Sequence, residues 1–313
     1  MSLTPTQVRA AQAIVNIFET GSVRGDYGSV TVLSGDTGHL TYGRSQTTLG
    51  SGNLNTLLTA YCGNAGARFG ARLSPWLPRV EQRDLALDTE TKLQNLLRAC
   101  ADDPVMRDTQ DSFFDETYWQ PAARAAEKLG LTTALGTAVV YDSWVHGSWA
   151  RIRDLTIAAQ GQPAQAGERA WVTAYVAQRK QWLATNANAL LRKTVYRMEA
   201  FERLIAQDLW GLPLPFVVRG NEIDLTALQA TPAGCYDGPQ PGTRSLALVS
   251  PMARGLDVRL LQLGLSDQGM AVVADGVFGK TSSQLVRDFQ TAQGLVATGV
   301  ADAALVSQLA GLS

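Results

Sequence analysis

Two carboxylates in the first forty residues stand where proton chemistry could be done, Glu19 and Asp36. Glu19 closes the apolar stretch Ala13-Ile14-Val15-Asn16-Ile17-Phe18, and Asp36 lies in the turn Ser34-Gly35-Asp36-Thr37-Gly38. At the end of a helix a carboxylate meets the negative pole of the helix dipole, and apolar cover raises its pKa further. That is the property of a general acid. A helix and a hairpin carrying one acid each predict the two walls of a cleft. Asp26, seven positions beyond Glu19 and beside Tyr27, rivals Asp36 as the base. Past the turn, Tyr42, Arg44 and Gln46 alternate, so one face of an extended strand would line subsites with all three.

The elements that must position these groups are legible. Thr4 and Pro5 read as N-cap and first helical residue, Gln7 as the partner in a capping box, and Gly21 as the stop. Val8, Ala11, Ile14, Val15 and Phe18 recur at helical spacing between them. Val30–Leu33 and Leu40–Tyr42 read as the strands of the hairpin. Further helices are expected over 54–62, 65–76, 80–100, 104–115, 118–129, 171–191 and 194–210. Residues 131–147 are so uniformly apolar that they belong in the middle of a domain. The fold class is mainly α with one small β-hairpin.

Composition sets the outer limits. The chain has 313 residues, 45 % of them hydrophobic, which suits two domains. Lys+Arg 27 against Asp+Glu 28 gives no electrostatic case for nucleic acid or an anionic membrane, and no run approaches a membrane span. Cys62, Cys100 and Cys235 match no metal spacing, and His39 and His146 are the sole imidazoles, so neither a metal nor a cofactor is expected. His39 reads as a turn residue and His146 as a packed core histidine, with most tryptophans in the core as well. The N-terminus carries no apolar signal sequence. The expectation is synthesis in the cytoplasm and action at the cell wall after lysis or signal-less export. Proline and glycine breakers divide the chain into a domain over 1–223, a linker over 224–248 and a compact unit of three short helices over 249–313.

That last unit carries Gly255, Val258, Leu261, Gln262, then Asp275, Gly276, Phe278, Gly279, Thr281, then Phe289, Gln290, Gly294, Leu295 and Gly299. The series resembles the type 1 peptidoglycan-binding domain, patterned GxxVxxLQ, DGxFGxxT and FQxxxGLxxxG. Phe278 and Phe289 read as core, Gly276 and Gly279 as turns, and Thr281 as a helix cap. The resemblance implies binding to cell-wall glycan or stem peptide.

Residues 8–220 are similar to glycoside hydrolase family 46, the chitosanases of the lysozyme-like superfamily. The resemblance rests on Ala13–Glu19, the turn Gly35–Gly43, Leu135-Gly136 with Tyr141–Gly147, and Tyr175–Leu183. It implies a two-lobed lysozyme-like fold, Glu19 as general acid and Asp36 as the base that activates water. It also implies inversion, which needs carboxyls about 6.5–9.5 Å apart. By the same resemblance Thr41 helps hold the water, and Asp142, Arg179 and Arg197 form a buried ion-pair network behind the acid. Where the family has an aspartate facing a glucosamine amine, Gly50-Ser51-Gly52-Asn53 ends in an amide, which suits an N-acetyl group better. The function expected is therefore a peptidoglycan hydrolase of muramidase type acting on wall glycan strands. A chitosanase with a wall anchor is the runner-up, then a non-catalytic wall-binding protein. Secretion machinery or a phage lysis system would deliver it, with an immunity protein as a further partner.

Overall fold

The structure, a computed structural model, describes residues 3–33, 35–44 and 46–311. Two compact units divide the chain: residues up to Gly25 with Phe114–Ala230, and Asp26–Phe113 with the residues from Thr231 onward. Among the described residues no helix is long and apolar enough to cross a membrane.

In the first unit the helix Pro5–Thr20 opens on the expected capping box. Thr4 Oγ1 accepts from the Gln7 N–H (3.3 Å) and Gln7 Oε1 from the Thr4 N–H (2.9 Å). Gly21 ends it at φ 74°, donating its N–H to the Ile17 carbonyl. Its buried face, from Ala10 to Phe18, packs on the helix Ala134–Val145, which is buried without a break from Ala134 to Ser143. The central position expected of this segment is the one it takes. A π turn at Asp115–Trp119 precedes the helix Gln120–Lys128, and Pro121, lacking an N–H, removes a rung of the regular ladder there. The helices Trp149–Gln160, Glu168–Ala184 and Tyr196–Ala206, and a hairpin pairing Phe216–Val218 with Asn221–Ile223, complete the core. The helix Trp149–Gln160 and this hairpin were not expected. The helix buries only Trp149, Ile152 and Thr156, a stripe too narrow to stand out, and each strand of the hairpin has three residues.

The second unit contains a three-stranded antiparallel sheet, Val30–Thr31, Thr41–Tyr42 and Thr47–Thr48, in that order. The expected hairpin is present, with one more strand than foreseen. The long helix expected over 80–100 is broken. Asp84 turns its carboxylate onto the Ala86 N–H and caps a 3-10 turn at Leu85–Thr89, and the α-helix begins again at Thr91. Beyond the breaker-rich stretch come the helices Leu256–Asp267, Lys280–Ala292 and Ala303–Leu309. Phe278 and Phe289 are core, as expected. Thr281 is not a cap: Gly279 holds that position, and Thr281 is exposed one residue inside the helix. Gln262 and Gln290 are buried turn-holders, accepting from the N–H groups of Gly276 (2.8 Å) and Gly299 (2.9 Å).

The helix Leu256–Asp267 is buried on two faces. Leu256, Leu260 and Leu263 enter one core with Leu54, Leu58, Tyr61, Leu93 and Leu97, while Val258, Leu261 and Leu265 enter a second with Phe278, Phe289 and Val306. Polar groups seal the same face. The buried Asn95 side chain donates to Ser266 Oγ (3.0 Å) and the Val272 carbonyl (2.8 Å) and accepts from the Ala274 N–H (2.9 Å). Arg259 pairs with buried Asp102 at 2.8 Å.

Candidate active site

Glu19 stands in the last turn of its helix, where Phe18 packs edge-on against Tyr196 and Phe201 and fixes the backbone. The Tyr196 hydroxyl donates to the Phe18 carbonyl (3.0 Å), satisfying one of the orphan acceptors of the helix end. Arg197, one residue on, donates from both terminal nitrogens to Glu19 Oε1, one bond being 2.9 Å long. Its Nε donates to Asp142 Oδ1 at 3.2 Å. Arg179 grips the other carboxylate oxygen of Asp142, and its remaining donors reach Ser148 Oγ (3.2 Å) and His146 Nδ1 (3.2 Å). The Glu19–Arg197–Asp142–Arg179 chain was expected from resemblance, and the structure places all four in contact.

Asp142 and Arg179 are fully buried and Arg197 is 1 % exposed, whereas a third (33 %) of the Glu19 side chain remains accessible. The chain therefore opens to solvent at one end. Burial drives the Glu19 pKa up, Arg197 pulls it back and Asp142 pushes it up again; the net displacement is upward. For Asp142 burial also acts upward, but Arg197 and Arg179 outweigh it and hold the carboxyl below its usual range. With two cations and one fixed anion behind it, Glu19 can carry a proton or leave its charge in Arg197's grip. Such a group can protonate a leaving oxygen and then be stabilised as its conjugate base.

His146 extends the network in a way the sequence reading did not reach. Since Arg179 is always a donor, Nδ1 accepts and the ring is neutral. Burial, then Arg197, push its pKa down to about 4. As the pH falls, an unfolded chain takes up this proton near 6.5 and the folded one only near 4, so stability drops across that window. His146→Gln is expected to melt with a smaller loss between pH 7 and pH 5 than the wild type; equal losses would remove His146 from the account.

Asp36 belongs to the second unit. It is exposed, its backbone N–H reaches the Leu33 carbonyl (3.1 Å) and its Oδ1 accepts from the Gly38 N–H at 3.2 Å, so the turn itself aims the carboxylate. Thr41, on the central strand, donates its hydroxyl proton to the His39 carbonyl (2.9 Å), which leaves the oxygen's lone pairs as acceptors. His39 is held at φ 58° by Asp88, which contacts its Nδ1 (2.8 Å) and the Leu40 N–H (2.7 Å); Asp88 carried no sequence signal. Asp26 is exposed and caps the Gly28 N–H.

The subsite strand expected at Tyr42, Arg44 and Gln46 is not formed. The strand stops at Tyr42, and Gly43 (φ 74°) and Gln46 (φ 47°) turn the chain. A side chain at Gly43 would collide with Gln110, whose Oε1 accepts from the Arg44 N–H (2.9 Å). Tyr42 is core, and Arg44 is drawn inward to Asp111 and across the Tyr27 ring; Gln46 alone is exposed. Asn53 is the first residue of the helix Asn53–Cys62 and is half-buried, with its N–H on Ser51 Oγ (3.2 Å). Beside it Arg83 reaches the Ser51 carbonyl at 3.5 Å.

The model of glycosyl hydrolase family 46 matches residues 13–216, and that of a peptidoglycan-binding domain matches residues 254–309. A chitosanase of Bacillus subtilis (strain 168) is 29 % identical over 239 residues, spanning 70 % of this chain and 84 % of its own. Among solved structures, the native chitosanase from Bacillus subtilis MY002 superposes with a TM-score of 0.59 at 26 % identity, over 71 % of this chain and all of that one. A Gynuella sunshinyii chitosanase in complex with chitotetraose gives 0.58 at 27 % identity, over 72 % of this chain and 99 % of its own.

Proposed function

The chain belongs to glycosyl hydrolase family 46, and from that membership we propose that it cleaves β-1,4 bonds of the amino-sugar glycan of peptidoglycan. In this reading protonated Glu19 delivers its proton to the glycosidic oxygen, and Arg197 receives the carboxylate left behind. Asp36 takes a proton from water on the opposite face of the sugar, Thr41 accepting the water's second hydrogen, and the anomeric centre inverts. No metal or cofactor has a part.

The observation that carries peptidoglycan as substrate is the C-terminal domain, which shares a hydrophobic core with residues 54–97 of the unit that holds Asp36. Wall recognition is built into the hydrolase. The Asn53 turn agrees: it presents an amide and, in Arg83, a cation with no carboxylate partner among the described residues. An ammonium-bearing sugar meets no carboxylate from Asn53 or Arg83 and so gains less there than an N-acetyl group. The chitosan reading is favoured by the relatives, which are chitosanases.

Purified peptidoglycan and deacetylated chitosan, digested side by side and read by mass spectrometry of the released ends, separate the two. Muropeptides with reducing N-acetylmuramic acid are the expected product. Chitosan oligomers with peptidoglycan untouched would transfer the assignment to chitosanase.

A further inference from the structure

A pocket of about 460 Å³ opens on the first unit between the helices Gln120–Lys128, Ala134–Val145 and Trp149–Gln160. Pro121, Arg124, Ala125 and Lys128 recur at helical spacing and supply one wall; Trp144, Trp149 and Arg153 supply the other. No residue of the Glu19 network lines it, and neither does any acidic residue. Trp144 is 36 % exposed, although it leaves a helix that is otherwise almost wholly buried. The Arg153 guanidinium lies 5.9 Å from the Trp149 ring, and its one carboxylate partner among the described residues, Asp154, faces solvent. Arg124 and Lys128 form no ion pair among the described residues.

Arg153 leans on Asp154 and Lys128 closes its own helix, yet the three cations gathered around an open indole have no carboxylate among the residues lining the pocket to offset them. An indole face takes the apolar side of a sugar or a peptide, and the cations take carboxylates. We infer that this pocket is a second binding site of the hydrolase, for a carboxylate-bearing glycopeptide. The inference rests on peptidoglycan being the substrate. Chitosan, a polycation, is repelled by it. A stem peptide supplies carboxylates next to sugar, so strand engagement here adds to that of the C-terminal domain.

The test is equilibrium binding by the full chain, in a Glu19→Gln background that prevents cleavage, at two salt concentrations. The probes are soluble peptidoglycan strands, the same strands with carboxyls amidated, strands stripped of peptide, and polyphosphate. Trp144→Ala and the pair Arg124→Glu, Lys128→Glu are each expected to weaken binding of intact strands about tenfold, and the charge-reversed pair alone to flatten its salt dependence. Amidated strands are expected to bind wild type and the charge-reversed pair alike, and stripped strands, which keep the muramic acid carboxyl and the sugar face, are expected to show a smaller loss than intact strands. Unchanged affinity for intact strands in well-folded variants overturns the inference, as does polyphosphate binding with equal affinity and equal sensitivity to the substitutions. Because binding is read without cleavage, failure to hydrolyse peptidoglycan would count against the proposed function alone.

Discussion

Glu19→Gln is expected to remove hydrolysis, by at least about 10²-fold and up to about 10⁴-fold in kcat, while leaving the thermal melt and circular dichroism in place. Gln cannot deliver a proton to the leaving oxygen, yet it has the same shape and can still accept from Arg197. Glu19 is also the solvent end of the ion-pair chain, so its loss leaves the buried pair Asp142–Arg179 intact. With Glu19 as the proposed acid, which must be protonated to act, activity is expected to fall as pH rises through the raised Glu19 pKa, placing the alkaline limb of kcat above the ordinary glutamate value. Full activity in the substituted enzyme would assign the acid to another residue. Loss of activity with strand binding retained would separate the enzyme from a mere wall-binding protein.

Asp142→Asn is expected to act on stability first. The carboxylate is wholly buried and is shared by two buried arginines, so neutralising it leaves Arg179 with only neutral partners among the described residues and Arg197 with Glu19 as its one carboxylate there. Removing one partner from such a network costs about 3–5 kcal/mol, a drop on the order of 10 °C in melting temperature for a protein of this size. A second readout distinguishes this network from simple packing. Asp142 raises the Glu19 pKa and Arg197 lowers it, so Asp142→Asn moves the alkaline limb to lower pH and Arg197→Met moves it to higher pH. Shifts in the same direction for both variants would show that the two residues act through structure alone.

How far the sequence could be read depended on whether a signal was local. The capping box at Thr4–Gln7 is set by side chains within three residues of the backbone they satisfy, and the stop at Gly21 by that glycine's own left-handed backbone; both form as expected. The unbroken burial from Ala134 to Ser143 follows from composition alone. The Tyr42–Gln46 strand failed because its alternating pattern is also satisfied by a turn, and the decision lay with Gln110 and Asp111, more than sixty residues away. His146 and Asp88 escaped for the same reason: a histidine that accepts from Arg179 and an aspartate that holds a distant turn look like any others in one dimension. The ion-pair chain was reachable only through family resemblance, since Glu19 and Arg197 stand 178 positions apart.

The helix Leu256–Asp267 also bears on how such a chain can have arisen. A binding module joined by a tether can be exchanged, duplicated or lost without notice to the enzyme. Here three leucines of the module's first helix complete a core begun by residues 54–97, and Arg259 neutralises buried Asp102, which also accepts from the Tyr236 N–H. Exchange for a homologous module lacking those four side chains would leave a cavity and an unpaired charge in the hydrolase itself. The folding of the module and the folding of residues 54–97 therefore rest on one helix.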